Sequence, residues 1–184
     1  MTGQEPIIQF ADKDVGDVTA AVEGVMLGLK TPWLREGAEQ VVTDAGAEQA
    51  SAQRFVTVLE LAYLVASADG FAAAERRSLS YLLESVTGSA VKQATLERHF
   101  SDLDNAVEML GRRERLARSA ADLPDAGARE EALKLTALIA MADGQVSVDE
   151  MSALTELGQH MEMDATRVEG LVRQCAGIVQ EALG

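Results

Sequence analysis

Cysteine, proline and aromatic residues are scarce in this chain: one Cys and three Pro among 184 residues, and an aromatic share of 4%. A lone thiol, Cys175, excludes an internal disulfide and a thiolate metal cage. It falls in an amphipathic helical pattern, as a small core or boundary residue. So few prolines leave room for long uninterrupted helices. Positive charge is short as well. Sixteen Lys and Arg stand against 30 Asp and Glu, a net charge of −14. Phosphate contact needs clustered bases, so the balance argues against nucleic acid and against direct docking on an anionic membrane. No stretch approaches the ~20 apolar residues of a membrane span. No basic segment followed by an apolar run opens the chain, so no secretory signal is read and a reducing cytoplasm is expected. Alternating strand patterns with turn punctuation are missing too.

What remains is alanine, leucine and acid. A hydrophobic content of 47% argues for a packed core despite the charge. The expected fold is all-α, a single helical bundle. Apolar periodicity predicts helices over 17–29 (Asp17 as cap; Val18, Val22, Val25, Met26 and Leu29 inward), 33–45, 48–68 and 73–86 (Leu79, Leu82, Leu83 and Val86 inward). Further helices are predicted over 90–99, from Asp102 or Asp104 to 118, and over 128–142, 147–160 and 164–182. Residues 1–46 read as an N-terminal helical extension and 47–184 as the main domain.

Within that domain the same acidic punctuation occurs twice. Residues 66–75 read Ala-Ser-Ala-Asp-Gly-Phe-Ala-Ala-Ala-Glu, and 140–150 read Ala-Met-Ala-Asp-Gly-Gln-Val-Ser-Val-Asp-Glu. Each follows an apolar helical stretch, and Leu59, Leu61, Leu64, Ala66 and Ala68 match Leu133, Leu135, Leu138, Ala140 and Ala142. Units of about 55–87 and 129–162 therefore read as an internal pseudo-two-fold repeat whose acidic corners meet.

Asp69 and Asp143 each fall at a helix C-terminus, where a carboxylate costs about 0.3–1 kcal/mol. Two readings account for the pair. In one they bind a hard divalent cation of the Ca²⁺ or Mg²⁺ type, together with free carbonyls at the helix ends. In the other they hydrogen-bond turn amides or cap the next helix. Ser147 and Glu150 form a capping box by spacing. The first copy, Ala72 to Glu75, has no hydroxyl for that role, and Asp149 stands as the positional equivalent of Glu75. The second copy resembles the rear half of an EF-hand loop, but its earlier ligand positions are Ile139 and Met141. A self-contained EF-hand is therefore excluded.

Other residues carry blander readings. Arg112, Arg113, Arg115 and Arg118 read as a solvated helix face, with partner docking second. His99 and His160 read as boundary side chains, and Met26, Met109, Met141, Met151, Met161 and Met163 as core or edge. No phosphate-cradling loop and no nucleophile motif is present, so no enzyme is expected.

The segments VASADGFAAAE and IAMADGQVSVDE, about 74 residues apart, with HFSDLD between and GQHMEMDATRVEGL after, resemble the tellurite-resistance TerB-like family. The resemblance covers roughly residues 50–175. It implies a helical bundle with an internal pseudo-repeat, in a bacterial stress-response protein. It also implies metal binding through acidic residues and work with protein partners, membrane-associated ones included, rather than catalysis. The family's acidic positions fall on Asp69 and Glu75, then on Asp143, Asp149 and Glu150. The first loop departs from the family pattern, reading Phe71-Ala72-Ala73-Ala74 where family loops carry more polar residues. The expected function is a non-catalytic, divalent-metal-associated stress-response module. The alternative is a metal-free interaction scaffold whose acidic turns are only caps.

Overall fold

Two stretches of this sequence, 57–66 and 132–142, are apolar on nearly every side, with only Glu60 and Lys134 charged, and a helix of that kind belongs in the centre of a fold. In a computed structural model of the chain, describing residues 5–29, 49–87, 93–123 and 125–184, they form the two central helices, packed against each other. The elements run β1 (Ile8–Gln9), α1 (Val15–Gly28), α2 (Gln49–Ala66), α3 (Ala73–Thr87), α4 (Gln93–Leu110) and α5 (Arg112–Ala121). They continue with α6 (Ala126–Ala140), a 3₁₀ turn (Met141–Asp143), β2 (Gln145–Val146), α7 (Val148–His160) and α8 (Ala165–Leu183). The architecture is an all-α bundle with one minute antiparallel sheet, in which Ile8 faces Val146 and Gln9 faces Gln145. The expected helix over 33–45 and the Gly88-Ser89 turn lie outside the described residues.

The other helices cover α2 and α6. Helix α1 packs on α3, on α8 and on the 3₁₀ turn, burying Val18, Val22 and Met26 completely. These side chains and Phe10 join the same hydrophobic core as α2 and α6. Helix α5 packs on α2 and α7, and α8 closes over α6. The crossing of α7 and α8 depends on Gly158. A Cβ there would come within 2.1 Å of Val168 Cγ2.

Local chemistry sets most boundaries. Asp14, not the expected Asp17, caps α1, accepting from the Gly16 amide at 2.8 Å. Asp125 and Asp164 cap α6 and α8 through the amides of Ala128 and Arg167. Ser147 and Glu150 form the predicted capping box of α7. The expected break near residue 101 is absent. Leu96, Phe100 and Leu103 carry one buried stripe through Ser101 and Asp102, and α4 runs on to Leu110. The chain turns at Gly111, whose φ of 84° favours glycine. Three further expectations change. Met109 is 83% exposed rather than core or edge. Two of the four arginines turn inward, as described below. The strand pair is too short to produce a period-2 signal.

Candidate functional site

Each central helix ends in an Asp-Gly turn, and the two turns are built alike. Gly70 and Gly144 both take positive φ, 119° and 99°, which reverses the chain toward the next helix. The glutamate that follows folds back onto its own turn. Glu75 Oε2 accepts from the Ala72 amide at 2.7 Å, and Glu150 Oε2 from the Ser147 amide at 2.8 Å. Ala72 cannot return a side-chain hydrogen bond, whereas the Ser147 hydroxyl oxygen accepts from the Glu150 amide at 3.1 Å.

Glu150, not Asp149, is therefore the counterpart of Glu75. Glu75 is six residues after Asp69, while Glu150 is seven after Asp143. The second turn is one residue longer because it spends Gln145 and Val146 on the strand pair with β1. Asp149 points out at the exposed start of α7.

The two glutamates meet. Each is 1% exposed, and each keeps an Oε1 that is buried without a donor. The two carboxyls are electrostatically coupled, and two like charges this deeply buried favour retention of a proton between them. Burial raises the Glu75 carboxyl well above the ordinary range; the hydrogen bond with Glu150 and its charge add to the rise, and the Ala72 amide opposes it. Burial also raises Glu150, with the charge of Asp69 added, against the hydrogen bonds from Glu75 and Ser147. The direction is the same for both, and the pair titrates as a unit that retains a proton.

Asp143 is half-buried and Asp69 exposed. Burial, reinforced by the charge of Asp69, raises Asp143 despite the Gln145 amide that Oδ1 accepts at 3.1 Å. The fold thus brings Asp69, Glu75, Asp143 and Glu150 into one electrostatic neighbourhood.

Several carbonyls at the two turns are already taken. Arg112 donates to Leu64 O and, at 3.0 Å, to Ser67 O and Ser67 Oγ, which places a positive charge at the C-terminus of α2. In the second turn the donors come from the N-terminal segment. The Ile7 amide meets Val146 O at 2.9 Å and the Phe10 amide meets Gly144 O at 2.9 Å. The Thr19 hydroxyl lies 2.8 Å from Ala142 O and 2.7 Å from Val15 O. Among the buried side-chain atoms, the donorless Oε1 of Glu75 and of Glu150 are what this junction offers a cation. Among the described residues no group of three or more His, Cys, Asp or Glu is placed to hold a metal ion.

A second buried acid lies elsewhere. Glu60, 7% exposed on α2, accepts from Arg115 Nη2 at 2.7 Å and Ser119 Oγ at 2.9 Å, with His99 Nε2 at 3.4 Å. Burial works to raise its carboxyl, but His99, Ser119 and Arg115 prevail and hold it below the ordinary range. Sequence reading missed this group and the inward role of Arg112 and Arg115. The one available signal was the lone glutamate in the otherwise apolar stretch 57–66 of α2, which calls for a basic partner such as the run at 112–118. Arg113 and Arg118 do lie exposed, paired with Glu156 and Glu114. His99 and His160 are boundary residues, as expected. Cys175 is a buried free thiol whose surroundings push it up to about 11, an inert core residue. No helix among the described residues is long and apolar enough to cross a membrane. Comparison with family models, with curated proteins and with solved structures finds no match.

Proposed function

We propose that this protein is a non-catalytic, cation-responsive module of the tellurite-resistance TerB-like kind, working in a bacterial stress response by docking protein partners. The observation that carries the reading is the pair of buried, donorless Oε1 atoms of Glu75 and Glu150 at the meeting point of two Asp-Gly turns. Like charges in a dry site repel strongly, so such a pair needs a positive partner. A proton meets that need in the folded chain described above. A divalent cation would be held by Glu75 and Glu150 in place of the proton, in a field supplied by Asp69 and Asp143. It would supply charge neutralisation and complete its coordination with water, in the Mg²⁺ manner. Helices α3 and α7 start at this junction, so its charge state bears on the surfaces they present. The internal pseudo-repeat belongs to the same reading.

A specific observation favours a second reading, the metal-free scaffold. Several carbonyls near the two turns that a hard ion could use are occupied by Arg112, Thr19 and the backbone of Ile7 and Phe10.

Thermal melts of chelator-treated protein separate the two. Ca²⁺, Mg²⁺, Mn²⁺ and Zn²⁺ are titrated into the parent and into the Glu75→Gln/Glu150→Gln double variant. A ligand that binds only the folded state stabilises it, by about 2.7 kcal/mol at about 100 times Kd. The expected outcome is a saturable rise in Tm in the parent that is lost in the variant. No rise, or an equal rise in both, refutes the metal reading and leaves the scaffold.

A further inference from the structure

A recess of about 570 Å³ lies between α1 and α3, lined by Glu23, Phe71, Ala73, Arg76, Arg77, Ser80 and Tyr81. That is within the usual range for small-molecule sites. Its chemistry runs against the rest of the molecule. In a chain with nearly two acids for every base, two adjacent arginines and two hydroxyl side chains share this hollow with one carboxylate among the described residues.

The charged groups are held in place. The Arg76 guanidinium stands 5.0 Å over the Phe71 ring. Phe71 is itself fixed edge-on against Tyr63 and Phe100, with centroids 5.0 and 5.9 Å away. Among the described residues no carboxylate pairs with Arg76. Glu23 is 8% exposed, and its Oε1 lies 3.3 Å from Arg77 Nε. That is an ion pair without hydrogen-bond geometry, so Oε1 keeps an unfilled acceptor position. The Arg77 side chain is 66% exposed. Both arginines lie in the first two turns of α3, where the helix dipole also favours a negative group.

Among the described residues the recess therefore presents two guanidinium groups beside one carboxylate. A simple anion would meet the repulsion of the molecule's net charge of −14 and of Glu23. A simple cation would meet the two arginines. A ligand carrying both charges and no net charge escapes both penalties. We propose that the recess between α1 and α3 binds a small zwitterion of the α-amino-acid class, with its carboxylate on Arg76 and Arg77 and its ammonium on Glu23. Ser80 and Tyr81 supply further hydrogen bonds, and Ala73 leaves space for the ligand's side chain.

Three probes isolate the charges: L-alanine, N-acetyl-L-alanine, which lacks the ammonium, and L-alaninamide, which lacks the carboxylate. Each is titrated while backbone-amide NMR spectra are recorded. Alanine is expected to shift the amides of 71–81 and Glu23 saturably. The blocked analogues should bind about tenfold or more weakly, each having lost a charge-assisted contact. Arg76→Gln, an exposed change, should weaken alanine by about tenfold with the rest of the spectrum unchanged. Glu23→Gln should erase the preference for alanine over its N-acetyl form. The proposal is overturned if alanine gives no saturable shift, if the N-acetyl form binds equally well, or if Arg76→Gln changes nothing. Should Glu23→Gln fail to fold, the Arg76 variant and the blocked probes still decide.

Discussion

Glu75 and Glu60 are both buried carboxyls, yet their surroundings drive them in opposite directions. Glu60 faces Arg115, Ser119 and His99 and holds its charge. Glu75 faces another glutamate, and burial with that neighbour raises its carboxyl above the ordinary range. For the Glu75–Glu150 pair the folded-state pKa lies above the ordinary 4.5. The unfolded chain then releases protons that the folded chain retains as pH rises through that window. Stability contributed by the pair is full below about pH 4.5 and is lost toward alkaline pH. Glutamine copies the protonated form, with one acceptor for the Ala72 amide and one donor for Glu150. Glu75→Gln should accordingly flatten the decline and leave the protein about 1–3 kcal/mol more stable than the parent at about pH 8. Urea unfolding at pH 5 and pH 8 measures this; an unchanged pH slope would refute the shared proton. This residue-level detail was only half legible. Both acidic turns stood out in the sequence, and the Ser147–Glu150 box followed from spacing. Pairing Glu75 with Asp149 was one residue off, since nothing local reveals that Gln145 and Val146 serve a strand whose partner is far upstream.

Helices were the most legible elements, because burial imposes a 3.6-residue period and caps follow Asp and Ser. Where the readings slipped, a tertiary contact had overruled the local pattern. The stripe of Leu96, Phe100 and Leu103 carries α4 past its polar middle, and Glu60 and the carbonyls after it turn Arg115 and Arg112 inward. Glycines are a sharper case, since their sequence context does not tell crowded sites from open ones. Gly158 sits against Val168, while a Cβ on Gly170 would meet nothing within 4 Å. Helix propensity alone favours alanine at both by about 1 kcal/mol. Gly158→Ala should instead destabilise by about 1–3 kcal/mol through overpacking. Gly170→Ala should stabilise by about 0.5–1 kcal/mol. Denaturant midpoints of the two variants test the pair of signs, and a stabilised Gly158→Ala would mean that α7 and α8 do not approach so closely.

On the scale of the whole molecule, the N-terminal segment shares the core of the bundle. Phe10 is 6% exposed and Val18, Val22 and Met26 are fully buried in the common cluster. Phe10→Ala should therefore cost about 3 kcal/mol or more of global stability, moving the urea midpoint at constant m-value. An independently melting extension would behave differently. It would give a separate early transition and leave the main one in place, an outcome that far-UV circular dichroism would resolve.

The strand pair between Ile8 and Val146 also has a consequence for how the chain is made. Synthesis runs from the N-terminus, so Phe10 and its neighbours leave the ribosome long before the carbonyls they bind exist. Glu75 likewise emerges well ahead of the glutamate with which it shares a proton. Through most of translation the early segment is an apolar strand without a partner, the kind of exposed edge that chaperones shield. Closure of the fold is thereby deferred until the second Asp-Gly turn has been delivered.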